Sequence, residues 1–243
     1  MEKHAIIVAL ALTSILAPVF GQTATYLDSF GSAGGGDGQF TTIFDTGYYP
    51  SSSALFVSDF DASRQQRFSS TGTFQIKWGS AGAGNGQFNL PRGIYVRSDT
   101  GEVLVADGGN SRIQRFDLNG AYQSKFGAAG AGNGQFDTPS DVTVNQSTGE
   151  IYVADFGNNR IQRFNNAGGY LGQWGALGDG PGELNGPVSI AINQTTGQVY
   201  VTEFFNSRVQ RFSAAGGYET MWGSSGPGNG QFSFIRGIDV DSS

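Results

Sequence analysis

Charged residues of opposite sign recur at a fixed spacing along the chain. In four places an acidic residue precedes an arginine by five positions. The pairs are Asp59 with Arg64, Asp107 with Arg112, Asp155 with Arg160, and Glu203 with Arg208. Such carboxylates could transfer protons or bind a cation, but one active site does not need four copies, whereas stacked structural units repeat the same contact in every unit. We interpret the four pairs as structural ion pairs.

Other residue types that carry catalysis are scarce. The chain has no cysteine and a single histidine, His4, so histidine-based triads are excluded from the rest of the sequence. Asp59 and Asp61 are the nearest candidates for a catalytic carboxylate pair, although alternating charges within one loop are more typical of a solvated surface. The sequence therefore favours a binding protein over an enzyme. A lyase or hydrolase that uses carboxylates and a bound cation is the alternative.

Glycine-rich loops, such as residues 34–38 and 82–86, resemble ion-binding loops in composition. A phosphate-binding loop leads into a helix, whereas each of these loops leads into a predicted strand. Calcium requires several converging oxygen ligands, and each loop offers one Asp or Asn side chain. We expect no cofactor, with calcium as the alternative.

These features belong to a repeat of 48 residues. Phe30, Trp78, Phe126, Trp174 and Trp222 keep this step, as do Arg67, Arg115, Arg163 and Arg211. The clearest copy contains four β-rich segments separated by Gly- or Asn-containing turns, at residues 141–144, 150–154, 160–164 and 170–174. A four-stranded unit that repeats in this way, with apolar residues on both strand faces, predicts an all-β fold, the β-propeller, built from antiparallel blades.

Three copies share nearly the same phrase, Ala-Asp-x-Gly-Asn-x-Arg-Ile-Gln-Arg-Phe, at residues 106–116, 154–164 and, with changes, 202–212. Together with the Gly-x-Gly-Asn-Gly-Gln-Phe loops, this phrase resembles the NHL-repeat family of β-propellers. The first copy departs from it, with Ala62 in place of Asn and Gln65 in place of Ile. The resemblance implies protein binding, RNA binding or, in the peptide-amidating lyases, catalysis with zinc held by histidines. The chain lacks those histidines and the cysteine-rich zinc module of the ubiquitin-ligase relatives.

The positions at which the repeats differ are the candidates for function. Loops at residues 60–63, 108–111, 156–159 and 204–207 follow the predicted second strands and are expected to share one rim. Their first two positions are Phe60 and Asp61, Gly108 and Gly109, Phe156 and Gly157, and Phe204 and Phe205. Exposed aromatic residues that differ between blades predict a surface for protein or carbohydrate. The alternative is that these rings pack between blades.

Charge excludes another class of partner. The formal net charge is −6, and the repeated arginines are spread evenly over the blades and paired with carboxylates. Nucleic-acid binding requires a basic stripe, which this distribution does not provide. We expect no nucleic-acid partner.

The N-terminal segment predicts export. An apolar run at residues 5–20 follows Lys3 and is short for a membrane span, so residues 1–21 read as a signal peptide, with an uncleaved anchor as the alternative. We expect a secreted, extracellular or cell-envelope protein without membrane insertion once the signal is removed. Asn145 and Asn193 lie in glycosylation sequons within turns.

The number of repeats predicts four full blades, at residues 31–78, 79–126, 127–174 and 175–222. A fourth strand at residues 26–30 and the start of a further blade at residues 223–243 flank them. A six-bladed ring would need about 288 residues. The sequence therefore predicts a fragment of a larger NHL protein, envelope-located or linked to a ubiquitin ligase. An open arc that homo-oligomerises is the alternative.

Overall fold

The computed structural model describes residues 29–240. The predicted signal peptide lies outside this part of the chain, as do the first three residues of the strand predicted at 26–30. Ser29 and Phe30 are described and are not in a strand. No α-helix occurs between residues 29 and 240, and so no helix there is long and apolar enough to cross a membrane.

Four antiparallel sheets of four strands each follow one another along the chain. Two short parallel strands, β1 (Ser32–Ala33) and β2 (Gln39–Phe40), precede them. In chain order the sheet strands are β3 (Ile43–Tyr49), β4 (Ala54–Asp59), β5 (Arg64–Phe68), β6 (Phe74–Trp78), β7 (Pro91–Val96), β8 (Val103–Asp107), β9 (Arg112–Phe116), β10 (Tyr122–Phe126), β11 (Pro139–Asn145), β12 (Glu150–Asp155), β13 (Arg160–Phe164), β14 (Tyr170–Trp174), β15 (Pro187–Ile192), β16 (Val199–Glu203), β17 (Arg208–Phe212) and β18 (Tyr218–Trp222). Each sheet pairs consecutive strands and is one blade, numbered 1 to 4 from β3 onward. The prediction of an all-β propeller with four-stranded blades is confirmed.

Burial on both sheet faces explains the composition of the strands. Every residue of β8, Val103–Asp107, is buried, and so is every residue of β11, Pro139–Asn145. A strand covered on both faces is apolar at consecutive positions instead of alternating. The outer strand β14, Tyr170–Trp174, alternates between half-buried and exposed residues because one face meets solvent.

The core lies between the blades. Each pair of adjacent blades shares one apolar cluster, into which a residue of the preceding glycine-rich loop inserts: Phe88 between blades 1 and 2, Phe136 between blades 2 and 3, and Leu184 between blades 3 and 4. All three side chains are fully buried. The 48-residue step therefore repeats one interface, which is the source of stability in a protein without disulfides.

The innermost strands β3, β7, β11 and β15 surround a central channel of about 700 Å³. Residues 237–240 also line this channel. Residues 236–240, within the predicted start of a further blade at residues 223–243, are not part of a sheet.

Candidate functional site

The recurring acidic residues and arginines form one hydrogen-bond network per blade. In blade 2, Arg112 donates from Nε to Asp107 Oδ2 at 2.7 Å, across the hairpin turn that pairs the two residues. The remaining guanidinium nitrogens donate to the carbonyl oxygens of Ala83, Gly84 and Gln87 in the glycine-rich loop. The arginine thus ties that loop to the blade.

The same contacts occur in the other blades. Ion pairs join Asp59 to Arg64 at 2.9 Å, Asp155 to Arg160 at 2.7 Å and Glu203 to Arg208 at 2.5 Å. All eight residues of the four pairs are buried. A buried arginine that loses its partner is costly, so these pairs hold the fold together and are not exposed to ligands.

The network also occupies the oxygens that a loop-bound calcium would use. In blade 3, the carbonyl oxygens of Ala131, Gly132 and Gln135 accept hydrogen bonds from Arg160. The guanidinium therefore takes the position at which the carbonyls converge. Residues 29–240 contain no group of three or more His, Cys, Asp or Glu side chains placed to hold a metal.

The zinc of the lyase relatives does not fit this chain. Histidines hold that zinc, and the one histidine here, His4, lies in the predicted signal peptide, outside the described residues.

Asp59 and Asp61 do not form a carboxylate pair. Asp59 is buried and accepts hydrogen bonds from Arg64 and from the backbone and side chain of Thr41. Asp61 is exposed and accepts one from Thr42 Oγ1. The two carboxylates have separate partners, and neither is placed for shared proton transfer.

The phenylalanines predicted for the rim come together at one end of the channel. Phe156 packs on Phe205 with ring centroids 5.8 Å apart, and Phe204 lies 5.2 Å from Phe205. Phe44, the second residue of β3, stacks on Phe60 at 5.6 Å. The rings thus form two packed groups at this end of the channel, where Phe44 lines a small cavity, and 61% of Phe205 is exposed.

Phe234 completes this set by packing on Phe204 at 6.0 Å and is 76% exposed. We call the six rings the aromatic rim. They are Phe44, Phe60, Phe156, Phe204, Phe205 and Phe234.

Two arginines lie within the aromatic rim. The Cζ atom of Arg92 is 5.3 to 5.7 Å from the centroids of Phe44, Phe60 and Phe156. Arg236 Cζ lies 5.9 Å from the centroid of Phe204. Burial lowers the pKa of Arg92, and the like charge of Arg236 lowers it further. We call Arg92 and Arg236 the rim arginines.

Two carboxylates of the inner strands lie deeper in the channel, which Asp239 also lines. Asp45 accepts a hydrogen bond from Ile94 N, and Asp141 accepts from Ile190 N and Ser189 Oγ, each at 2.8 to 2.9 Å. Burial raises the pKa of Asp45 to about 6. Burial, and then the charge of Asp45, raise the pKa of Asp141 to about 8. Each carboxylate ties one inner strand to the inner strand of the next blade.

A polar ladder lies further along the channel lining. Gln146 Nε2 donates to Tyr95 Oη, and Gln194 Oε1 accepts from Gln146 N. Asn145, one of the two sequon residues, is only 4% exposed and accepts hydrogen bonds within its own turn. Its side chain serves the turn in the folded chain.

Sequence reasoning missed the rim arginines and the channel carboxylates. Arg92 and Arg236 occupy one repeat position, at which the other copies have Phe44, Ser140 and Val188. The next position reads Asp45, Gly93, Asp141, Ser189 and Gly237. Comparing copies at the start of the first strand, and not only in the loops after the second strand, would have shown both differences.

Comparison with known proteins agrees with the repeat. The NHL repeat model matches residues 88–116, 136–164 and 184–212. No curated protein sequence matches the chain.

Three solved structures share the fold at low sequence identity. A chain of the nidogen/laminin complex is 15% identical, with a TM-score of 0.63 over 82% of this chain and 68% of its own. Hydrazine synthase from Kuenenia stuttgartiensis is 15% identical, with a TM-score of 0.57 over 74% of this chain. Streptogramin B lyase is 16% identical, with a TM-score of 0.56 over 74%. The matches span 48% of the hydrazine synthase chain and 54% of the lyase chain. The chain therefore contains NHL repeats in three successive blades of its β-propeller.

Proposed function

We propose that the chain is an exported binding or scaffolding propeller that recognises a protein through the aromatic rim. The observation that carries this proposal is the cluster of six phenylalanines and two arginines around one end of the channel. Phenylalanine and arginine are enriched in the centres of protein interfaces. The rim is the part of the molecule where both residue types are gathered and accessible.

Exposure separates the aromatic rim from the core. Phe205 and Phe234 are among the most exposed large apolar side chains of the described residues, whereas Phe88, Phe116 and Phe136 are fully buried. Clustered exposed apolar side chains indicate an interaction surface. The predicted signal peptide supports a partner outside the cytoplasm.

The test is selection of ligands on the immobilised chain. We expect random peptides displayed on phage to enrich on the chain, and each enriched peptide to bind the Phe205→Ser variant at least about tenfold more weakly, as for an interface hot spot. The control is Leu171→Ser, which removes an apolar side chain, 42% exposed, from the outer strand β14. It should bind like the wild type.

Two outcomes would overturn the proposal. Equal binding by wild type and Phe205→Ser would place the ligand away from the aromatic rim. Binding of the chain to immobilised polysaccharides on a glycan array, with no enriched peptide, would assign the rim to carbohydrate. Circular dichroism of each variant shows that the fold is kept.

A second candidate is an enzyme that uses the channel carboxylates. Asp45 and Asp141 favour it, because their raised pKa values lie near neutral pH, as acid–base catalysis requires. Metal analysis of the purified chain tests the cation-dependent form. Stoichiometric calcium that is lost in Asp141→Asn would support this candidate, and absence of calcium at saturating concentration would contradict it.

A further inference from the structure

The rim arginines differ from every other arginine of the chain in their contacts. Each other arginine donates a side-chain hydrogen bond to a described residue; Arg112 and Arg160, for example, bind both a carboxylate and loop carbonyls. Among residues 29–240, no carboxylate forms an ion pair with Arg92 or Arg236. Arg92 Nε is buried and has no hydrogen-bond acceptor.

This arrangement is unfavourable without a ligand. Arg92 is half-buried among three phenylalanine rings, which cannot accept strong hydrogen bonds. A desolvated donor without an acceptor costs free energy. The charge of Arg236 acts on Arg92 as a second, repelling cation.

The carboxylates in the channel do not supply the missing acceptor. Asp45 and Asp141 accept hydrogen bonds from strand backbone and from Ser189, and Asp239, which also lines the channel, accepts one from Val240 N. Among the described residues none of these three carboxylates forms an ion pair with a rim arginine. The channel lining and the rim meet at a small cavity bounded by Asp45, Asp141, Phe44 and Arg236. An acceptor for the rim arginines must therefore come from outside the described chain.

We infer that Arg92 and Arg236 form an anion-binding subsite, which takes the carboxylate of an acidic side chain that a protein partner inserts into the aromatic rim. A guanidinium pairs with a planar carboxylate through two parallel hydrogen bonds. The three rings around Arg92 shield its Nε from water, which strengthens a contact made there. This inference rests on the proposed function and names the chemistry of its partner.

Nucleic acid does not fit this subsite as well. The other arginines are engaged in the fold, so the rim arginines are two isolated cations on a chain of net charge −6. Phosphate-backbone binding requires a row of cations. A single carboxylate between two arginines matches the charge that is present.

The experiment is an NMR titration of the full chain with N-acetylglutamate, with N-acetylglutamine as the neutral control. The Nε–Hε resonance of Arg92 is the direct readout, since this proton lacks an acceptor. We expect N-acetylglutamate to shift it and N-acetylglutamine to leave it unchanged. No shift, or an equal shift with both compounds, would overturn the inference.

Two variants locate the binding. Arg236→Gln alters an exposed side chain that is not expected to affect folding, and should weaken N-acetylglutamate binding by about 10- to 100-fold, as for the loss of one charged hydrogen-bond donor. Arg92→Lys keeps the positive charge but lacks the planar guanidinium that binds a carboxylate through two hydrogen bonds, so it should retain part of the affinity. The control is Arg67→Gln in strand β5, at a repeat position other than that of the rim arginines. Arg67 donates hydrogen bonds to Gln75 Oε1 and Leu118 O, and this variant should bind N-acetylglutamate like the wild type. Unchanged affinity in Arg236→Gln would contradict the two-arginine subsite.

Failure of this inference can be distinguished from failure of the proposed function. Peptides that bind through Phe205 but carry no acidic residue, and that tolerate Arg236→Gln, would refute the subsite and leave the protein-binding rim intact. N-acetylglutamate binding at Arg92 with no enriched peptide would support the subsite and refute the proposed protein partner.

Discussion

The two groups of arginines in this propeller have opposite surroundings. Arg112 and its equivalents are buried, bonded to a carboxylate and to three loop carbonyls in the same way in every blade. Arg92 and Arg236 lie among aromatic rings at the channel opening without hydrogen-bond acceptors among the described residues. The first group repeats every 48 residues, and the second occurs where the repeats differ.

This difference separates construction from recognition. A contact that every blade needs must recur with the repeat, since each blade packs only on its neighbours. A contact with a ligand needs to occur only once, so its residues need not be the same in every blade. Charge compensation then serves as a second criterion, because a cation without an internal partner is available to an external one.

The largest expected effect is the loss of a repeated arginine. Arg112→Ala leaves Asp107 buried without its cation and removes three bonds to the loop, so we expect the free energy of unfolding to fall by about 3 to 5 kcal/mol. Urea unfolding followed by tryptophan fluorescence measures it. In the matched variant Arg236→Ala the loss should be below about 0.5 kcal/mol. Similar losses in both would remove the distinction between the two groups.

Substitution of Gly93 should cause the next largest loss of stability. A Cβ atom there would lie 2.2 Å from Asp141 Oδ1 and 2.6 Å from Asp141 Cα. Gly93→Ala should therefore destabilise the chain by about 1 to 3 kcal/mol through overpacking. Gly172→Ala in β14 is the control, because no atom lies within 4 Å of its added Cβ. If Gly93→Ala unfolds at the wild-type urea concentration, β7 and β11 are less tightly packed than described.

The channel carboxylates predict a dependence of stability on pH. Their pKa values, about 6 for Asp45 and about 8 for Asp141, lie above the unfolded value of about 3.9. The stabilising protonation is fully present below about pH 4 and is lost as the pH rises through the folded values. The free energy of unfolding should fall by about 1.4 kcal/mol per pH unit for each carboxyl protonated only in the folded chain.

Asp141→Asn is the variant that tests this dependence, since its amide oxygen can still accept from Ile190 N but cannot ionise. Urea unfolding between about pH 6 and 8 should then lose most of its slope. An unchanged slope would assign the titration to other groups.

The smallest expected effect is on the stability of rim variants. Phe205→Ser removes a ring that is mostly exposed, so the free energy of unfolding should change by less than about 1 kcal/mol. Phe136→Ser, which empties a buried site between blades 2 and 3, should cost about 3 to 5 kcal/mol. Thermal unfolding of both variants makes the comparison. A large loss in Phe205→Ser would identify the ring as structural.

The sequence was sufficient to predict the blades because the residues that form the contacts between blades recur every 48 residues. Asp107, Arg112, Phe88 and Phe136 recur at fixed steps, and each performs the same packing task in every blade. The pairing of Asp107 with Arg112 across a hairpin turn followed from their spacing of five residues. The phenylalanines of the rim could be proposed because they interrupt the repeat.

The partners within the rim could not be predicted from spacing. Arg92 reaches Phe60 and Phe156, which belong to blades 1 and 3. Asp45 and Asp141 are separated by two repeats and interact through their charges across the channel. Such contacts depend on how blades curve around the channel, which a linear pattern does not contain.

Urea unfolding with and without saturating N-acetylglutamate, at matched ionic strength, tests the division of roles most directly. The chains compared are wild type, Arg92→Gln and Arg112→Gln. A ligand that binds only the folded chain raises its free energy of unfolding. We predict that Arg112→Gln is strongly destabilised yet still gains stability from the ligand, and that Arg92→Gln keeps nearly full stability and gains much less than the wild type. A ligand-induced gain in Arg92→Gln equal to that of the wild type would contradict recognition through the rim arginines.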